Sequence, residues 1–130
     1  MRRVVDASAF VDAVLPTPRQ DAALTAFSGY ELWAPSILDL DVTSALWRLE
    51  RSSTITHDEA EQGVEALTTA PIRRLSVRHL THDAWNLRMS RRISDAFYAA
   101  SARMLGAELV TSDGRLAHAP SLEAAVVLLR

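Results

Sequence analysis

The segment SDAFYAASARMLGAELVTSD, residues 94–113, is the part of the sequence that most constrains the fold. Its first half places alanines and aromatic residues at helical spacing, and Gly106 is a typical helix stop. A short apolar strand and a turn follow. An aspartate stands near each end, Asp95 where the helix starts and Asp113 in the turn. Two interpretations are open. Asp95 is a helix-terminus acid and Asp113 is a turn residue, each with a local role, or both aspartates belong to one site.

The rest of the chain also alternates short apolar segments with helical ones. Three further strands are predicted, at residues 2–6, 31–34 and 72–77. Five further helices are predicted, at residues 7–14, 19–27, 36–50, 57–67 and 81–89; Thr56 and Glu59 form a capping box before the fourth. The tail, residues 124–129, is a strand or a short helix. This order predicts one domain, residues 1–130, with a three-layer α/β/α fold whose helices cover a central, mostly parallel sheet.

Composition excludes several classes of protein and mechanism. Apolar residues make up 48% of the chain, yet no apolar run approaches the roughly 20 residues that cross a membrane. The chain has no cysteine, which excludes a disulfide, a thiolate nucleophile and a cysteine zinc site, so we expect a cytoplasmic protein. A net charge of −2 argues against a basic nucleic-acid coat. All 14 basic residues are arginine, which excludes mechanisms that need a lysine.

Four aspartates fall where a parallel sheet binds its ligands, at the carboxyl ends of the strands. Asp6 closes the first strand, Asp113 follows a later strand, and Asp95 begins a helix. Asp41 lies in the first half of the helix that Pro35 opens. Asp39 competes with Asp41, but side chains two residues apart on a helix point about 200° apart, so only one of them faces a given site.

Carboxylates that converge in this way need a counter-charge. Two carboxylates about 4 Å apart repel by roughly 4 kcal/mol at an effective dielectric constant near 20. Oxygen ligands without cysteine, and without an ordered histidine set, suit a hard divalent ion such as Mg²⁺ or Mn²⁺. Such an ion, held with open positions, suits the hydrolysis of phosphodiester bonds.

Three segments, in this order and spacing, carry a resemblance to a known family. They are VVDASAFV at the N-terminus, APSILDLDVTSALWRL after the second strand, and SDAFYAASARMLGAELVTSD. The last matches an Asp-Ala-x-Tyr-x-Ala helix followed by glycine, an apolar strand and Thr-x-Asp. The chain resembles the PIN-domain nucleases, and more closely the VapC-type toxins of bacterial toxin–antitoxin pairs.

The resemblance implies a metal-dependent ribonuclease. Carried over by position, it implies that Asp6, Asp41, Asp95 and Asp113 form the Mg²⁺ or Mn²⁺ site. It also places Ser8 and Thr111 as supporting hydroxyl groups. Asp41 departs from the family, which usually has the longer glutamate there, and Asp39 is the fallback. The implied partners are an RNA substrate, a cognate antitoxin and a second copy of the chain in a homodimer, without a membrane.

Other readings start from the same residues. Receiver domains and haloacid-dehalogenase phosphatases also have an aspartate after the first strand, but both use a lysine that this chain lacks. The remaining alternative is a PIN-like binding module, weakly active or inactive, that acts through protein or RNA partners. Four arginines near the acids are candidates for binding RNA phosphates, or are cations near helix ends: Arg88, Arg91, Arg92 and Arg115.

Overall fold

A computed structural model describes residues 1–89, 92–118 and 124–130 of the chain. The strands in this part are β1 (Arg2–Val5), β2 (Glu31–Pro35), β3 (Ile72–Leu75), β4 (Glu108–Thr111) and β5 (Val126–Leu128). The helices are α1 (Ala7–Val14), α2 (Gln20–Phe27), α3 (Leu38–Arg51), α4 (His57–Thr69), α5 (Val77–Asn86), α6 (Ile93–Leu105) and α7 (Gly114–Ala117). No helix among these residues is long and apolar enough to span a membrane.

The five strands form one sheet in the order β3-β2-β1-β4-β5, and every pairing is parallel. Val4 and Val5 on β1 and Leu109 and Val110 on β4 are fully buried, as expected of central parallel strands covered on both faces. Helices α1 to α4 pack together, α5 packs on α6, and α6 crosses the central strands. The predicted three-layer α/β/α class is confirmed.

The chain runs from β1 to β2 on one side of the sheet and returns to β4 on the other side of β1. The strand order therefore reverses between β1 and β4. In open parallel sheets, the crevice outside the carboxyl ends of the strands at such a point is where ligands bind. Asp6 and Asp113 follow these two strands.

The fifth helix and the third strand differ from their predicted bounds, and the tail, which was predicted as either a strand or a short helix, takes one of these two forms. The fifth helix was predicted at residues 81–89 but lies at Val77–Asn86, and β3 ends at Leu75 rather than at residue 77. Leu80 and Ala84 form the buried face of α5, so the apolar spacing starts one turn earlier than predicted. The tail is a strand, because β4 pairs with it. Asp113, taken as a turn residue, also caps the short helix α7.

The contact between α3 and α4 depends on Gly63. A Cβ atom at this position would lie 2.9 and 3.0 Å from the two δ-methyl groups of Leu46, which is almost fully buried. Gly63→Val is therefore expected to lower the free energy of unfolding by roughly 1–3 kcal/mol in urea titration, because the buried Leu46 side chain must leave its packed position. Gln62→Val, an exposed neighbour on the same helix, is the control for β-branching alone. Equal losses in the two variants would contradict this packing.

Candidate active site

Asp6 joins three elements at the centre of the sheet. Its backbone N–H donates to the Val110 carbonyl of β4 at 3.2 Å. One carboxylate oxygen accepts from the Ala9 backbone N–H at 2.9 Å, which caps α1, and from Ser8 Oγ at 2.8 Å. The other accepts from Thr111 Oγ1 at 2.5 Å. The side chain of Asp6 is thus fixed by α1 and β4 together.

Burial gives Asp6 unusual electrostatics. The residue is only 5% exposed, and burial raises the pKa of its carboxyl group to about 6. The hydrogen bonds from Thr111, Ala9 and Ser8 oppose this rise in pKa, and the negative charge of Asp95 adds to it. The ionised form of Asp6 is unfavourable because the group is buried next to a second carboxylate. A cation bound nearby would stabilise that ionised form.

Asp95 on α6 and Asp41 on α3 both line the cleft. Asp95 lies in the first turn of α6 and is 6% exposed. Tyr98, three residues later on the same helix, donates its hydroxyl hydrogen to Asp41 Oδ2 at 2.8 Å. Burial raises the pKa of Asp41; the Tyr98 hydrogen bond opposes the rise and the charge of Asp95 adds to it. Tyr98 therefore connects the two acidic helices and sets the rotamer of Asp41.

Asp113 is half-buried and, like Asp6, accepts three hydrogen bonds. Its Oδ1 accepts from the backbone N–H groups of Arg115 and Leu116, at 2.9 and 3.3 Å. Burial alone would raise the pKa of Asp113, but these bonds and the Arg115 guanidinium outweigh it and lower the pKa. Asp113 is therefore a carboxylate, not a carboxylic acid, near neutral pH.

The four aspartates line one cleft of about 820 Å³, together with Ser8 and Tyr98. Thr111 lies behind Asp6 and is fully buried. Asp39, the fallback for Asp41, points elsewhere and forms a salt bridge with Arg74 of β3 at 2.7 Å. Position 41 and not position 39 is thus the one at the cleft.

The candidate arginines divide into separate groups. Arg92 Nε lies 3.5 Å from Asp95, and Arg115 Nη2 lies 3.1 Å from Asp113 and 3.7 Å from Asp95. Arg88 instead stacks on Trp85, 4.0 Å from the ring centroid, and donates to the Trp85 carbonyl. Arg91 lies outside the residues that the structure describes. Arg92 and Arg115 therefore supply the counter-charge for two of the acids.

Sequence reasoning missed two polar contacts at this cleft. Asp12, on α1, is 9% exposed and accepts a hydrogen bond from Ser112 Oγ. Ser112 also donates its backbone N–H to Ser8 Oγ at 3.0 Å, so α1 holds the segment that carries Asp113. Ser8 and Asp12 are four residues apart and therefore lie on one face of α1. This spacing could have predicted that both side chains contact the same segment. In the same way, Tyr98 lies three residues after Asp95 on α6, and this spacing could have predicted that the two side chains share one helix face.

The acids of the cleft have the chemistry of a divalent-ion site but not yet its spacing. Asp6, Asp41 and Asp95 provide oxygen atoms only, and two of these residues are buried, which fits a hard cation such as Mg²⁺ or Mn²⁺. Within residues 1–89, 92–118 and 124–130, however, no three Asp, Glu or His side chains are grouped closely enough to hold one ion as they stand. The chemistry therefore fits an ion, and binding it requires these side chains to turn toward it.

Comparison with known proteins identifies the family of the chain. The family model described as PIN domain matches residues 3–122. The chain belongs to the PIN-domain family. This PIN domain is 37% identical over 123 residues to Ribonuclease VapC3 of Mycobacterium tuberculosis, covering 93% of this chain and 90% of the relative. It is 32% identical to Ribonuclease VapC12 of the same species, covering 97% and 98%.

Solved structures share the fold of this PIN domain at lower sequence identity. A toxin–antitoxin complex from Klebsiella pneumoniae superposes with a TM-score of 0.68 at 14% identity, covering 96% of this chain and 95% of that chain. The parallel sheet with its surrounding helices is therefore common to proteins whose sequences have diverged widely.

Proposed function

We propose that this PIN domain is a metal-dependent endoribonuclease and the toxin of a toxin–antitoxin pair, acting in the cytoplasm. The observation that carries the proposal is the meeting of Asp6, Asp41, Asp95 and Asp113 in one cleft at the sheet's switch point. The names of the two mycobacterial relatives support the same activity.

In this proposal Asp6 and Asp95 hold Mg²⁺ or Mn²⁺, and Asp41 and Asp113 complete or orient the set. Once bound, the ion supplies a Lewis acid for the scissile phosphate and lowers the pKa of a water molecule. The protein's own part is positioning. Ser8 and Thr111 fix the Asp6 carboxylate through their hydroxyl groups.

The partners of the acids complete this arrangement. Tyr98 orients Asp41, whose side chain is one methylene shorter than the glutamate usual in the family. Arg92 and Arg115 offset the charge of Asp95 and Asp113 in the absence of an ion. When an RNA strand enters, the same two guanidinium groups are within reach of its phosphates, which accept bidentate hydrogen bonds as carboxylates do.

The test is cleavage of a total RNA pool by purified protein free of any partner. We expect internal cutting in Mg²⁺ or Mn²⁺ that EDTA stops. The readout is the appearance of defined fragments on a sequencing gel, with a mock purification from cells that lack the gene as the control for contaminating nucleases. Uncut RNA in both metals, with a folded protein, would contradict the proposal.

A second candidate function is an inactive PIN-like binding module. It is favoured by two observations: no three acids in the described residues are grouped for an ion, and Arg92 and Arg115 already pair with Asp95 and Asp113. RNA or protein binding without cleavage in either metal would support this function in place of the nuclease.

We also propose an antitoxin partner and a homodimer. The Klebsiella pneumoniae structure is a toxin–antitoxin complex, which supports the first. The second is supported by Leu40 and Trp47, which are 67% and 55% exposed and lie two turns apart on the outer face of α3. Large exposed apolar side chains in register on one helix are typical of protein interfaces.

The dimer proposal predicts the effect of charges on this face. Leu40→Glu with Trp47→Glu is expected to convert a dimer into a monomer in sedimentation velocity, because each copy would bury two unpaired charges. Leu24→Glu, at a position that is 51% exposed on α2, is the matched control and should stay dimeric. A wild-type protein that sediments as a monomer would contradict the homodimer.

A further inference from the structure

The cleft extends well beyond the four aspartates. Its lining also includes three half-buried apolar side chains, Val11, Leu49 and Ile55, which we call the apolar floor. Two cations, Arg19 and Arg48, line the same cleft. Arg19 directly precedes α2, and Arg48 lies on α3 about two turns after Asp41. The volume of about 820 Å³ leaves room for much more than a scissile phosphate.

Arg19 and Arg48 differ from Arg92, the third arginine that lines the cleft, because their side chains form no hydrogen bond or close ion pair, although the charge of Arg48 lowers the pKa of Asp41. Both side chains are exposed, and neither forms a hydrogen bond, an ion pair or a ring contact with any residue in the described part of the chain. Arg92, by contrast, pairs with Asp95 and lies 3.7 Å from Asp113. The guanidinium donors of Arg19 and Arg48 thus have no hydrogen-bond acceptor among the described residues, and these two arginines were not among the predicted RNA-binding ones.

We propose that Arg19 and Arg48 bind phosphates of the RNA strand on one side of the scissile bond, while the apolar floor packs against its sugars and bases. The inference rests on the proposed ribonuclease function. An RNA whose scissile phosphate lies at the aspartates continues along the cleft, and a guanidinium group binds phosphate in a bidentate manner. The paired Arg92 and Arg115 then serve the reacting phosphate, and the unpaired arginines hold the flanking strand.

RNA is a better match than an acidic peptide for this half of the cleft. In the proposed reaction, the scissile phosphate lies at Asp6 and Asp95. The neighbouring phosphates of the same strand then lie within the same cleft. A base offers a flat apolar face to Val11 and Ile55 along with the anionic backbone, whereas an acidic side chain offers charge without that face.

Binding is measured first, in an Asp95→Asn background that prevents cleavage, with a fluorescein-labelled single-stranded RNA of mixed sequence. Arg19→Gln with Arg48→Gln is expected to weaken binding roughly tenfold or more at low salt. Each lost phosphate contact should also reduce the slope of log K against log salt by about 0.7, or about 1.4 for the pair. Arg73→Gln with Arg78→Gln, exposed arginines outside the cleft, removes the same charge and should change neither quantity.

Kinetics separate this inference from a purely structural effect. With Asp95 restored, Arg19→Gln alone should raise KM about as much as it weakens binding and leave kcat within about twofold, since uniform binding is lost; Arg48 is left in place here because its charge also acts on Asp41. An unchanged KM and salt slope, in a protein that still cuts RNA, would overturn the inference and leave the nuclease intact. No RNA binding or cutting by the wild type would overturn both.

An acidic polypeptide is the remaining occupant to compare. Polyglutamate of matched charge serves as the probe, at the same salt concentrations. The inference expects RNA to bind much more tightly than polyglutamate, and the arginine pair to account for that preference. Equal affinity for both polymers, lost equally in the variant, would overturn it in favour of a protein ligand.

Discussion

Asp95→Asn is expected to lower the rate of metal-dependent RNA cleavage at least roughly 100-fold, since even residues behind the ligands of a metal site are worth about 10–100-fold. Asp95 is 6% exposed, and its charge adds to the rise in the pKa of both Asp6 and Asp41. Removing it takes a negative charge from the centre of the site while leaving a side chain of the same size. The measurement is kcat on a defined RNA at saturating Mg²⁺ or Mn²⁺.

The control for Asp95→Asn is Asp83→Asn, at an exposed acid on α5 that lies outside the cleft. It should cut RNA at the wild-type rate. Far-UV circular dichroism should find both variants folded, because Asp95 makes no helix-cap hydrogen bond that asparagine would lose. Equal cutting by wild type and Asp95→Asn would point to a contaminating nuclease and leave Asp95 as a helix-terminus acid.

Asp6→Asn is expected to stabilise the metal-free protein above neutral pH, by roughly 3 kcal/mol at 1.36 kcal/mol for each pKa unit. The folded pKa of about 6 lies above the ordinary value of 3.8, so folded Asp6 holds a proton that the unfolded chain releases. Its contribution to stability is full below about pH 4 and is lost as the pH rises through 6. Asparagine keeps a cap acceptor for Ala9 but carries no charge.

Urea titrations of both proteins in EDTA at pH 4 and pH 8 measure this difference. The two free energies of unfolding should agree at pH 4 and diverge at pH 8. Adding Mg²⁺ or Mn²⁺ should then stabilise only the wild type, by about 2.7 kcal/mol at a hundred times the dissociation constant. A variant that is less stable than wild type at pH 8 without metal would show that the hydrogen bonds of Asp6 outweigh its burial.

Local sequence signals predicted the parts of the fold that depend on near neighbours. The capping box was confirmed, with Glu59 N–H donating to Thr56 Oγ1 at 3.1 Å and Thr56 N–H donating to Glu59 at 2.9 Å. Gly106 ends α6 in the left-handed conformation that its position predicts. Because each motif lies within a few residues of chain, no long-range contact was needed to predict it.

Contacts between residues that are far apart in the chain could not be predicted from the sequence. The tail is a strand because Val126 to Leu128 pair with β4, a partner that periodicity does not identify. The bond from Tyr98 to Asp41 spans 57 residues, and the one from Ser112 to Asp12 spans 100. Strand ends predicted which acids lie at one edge of the sheet, whereas the hydroxyl groups that orient them depend on how the helices pack.

Asp6 both caps α1 and supplies a charge at the centre of the site. This double role affects which mutations abolish activity without unfolding the protein. An aspartate codon becomes an asparagine codon by a single base change, and asparagine retains the cap acceptor and the size of the side chain. Alanine would remove the acceptor for Ala9 and Ser8 and the link to Thr111 at once. For the nuclease and the antitoxin proposed above, we therefore expect cells that escape the nuclease to retain a folded, inactive protein with Asp6→Asn, which still binds the antitoxin.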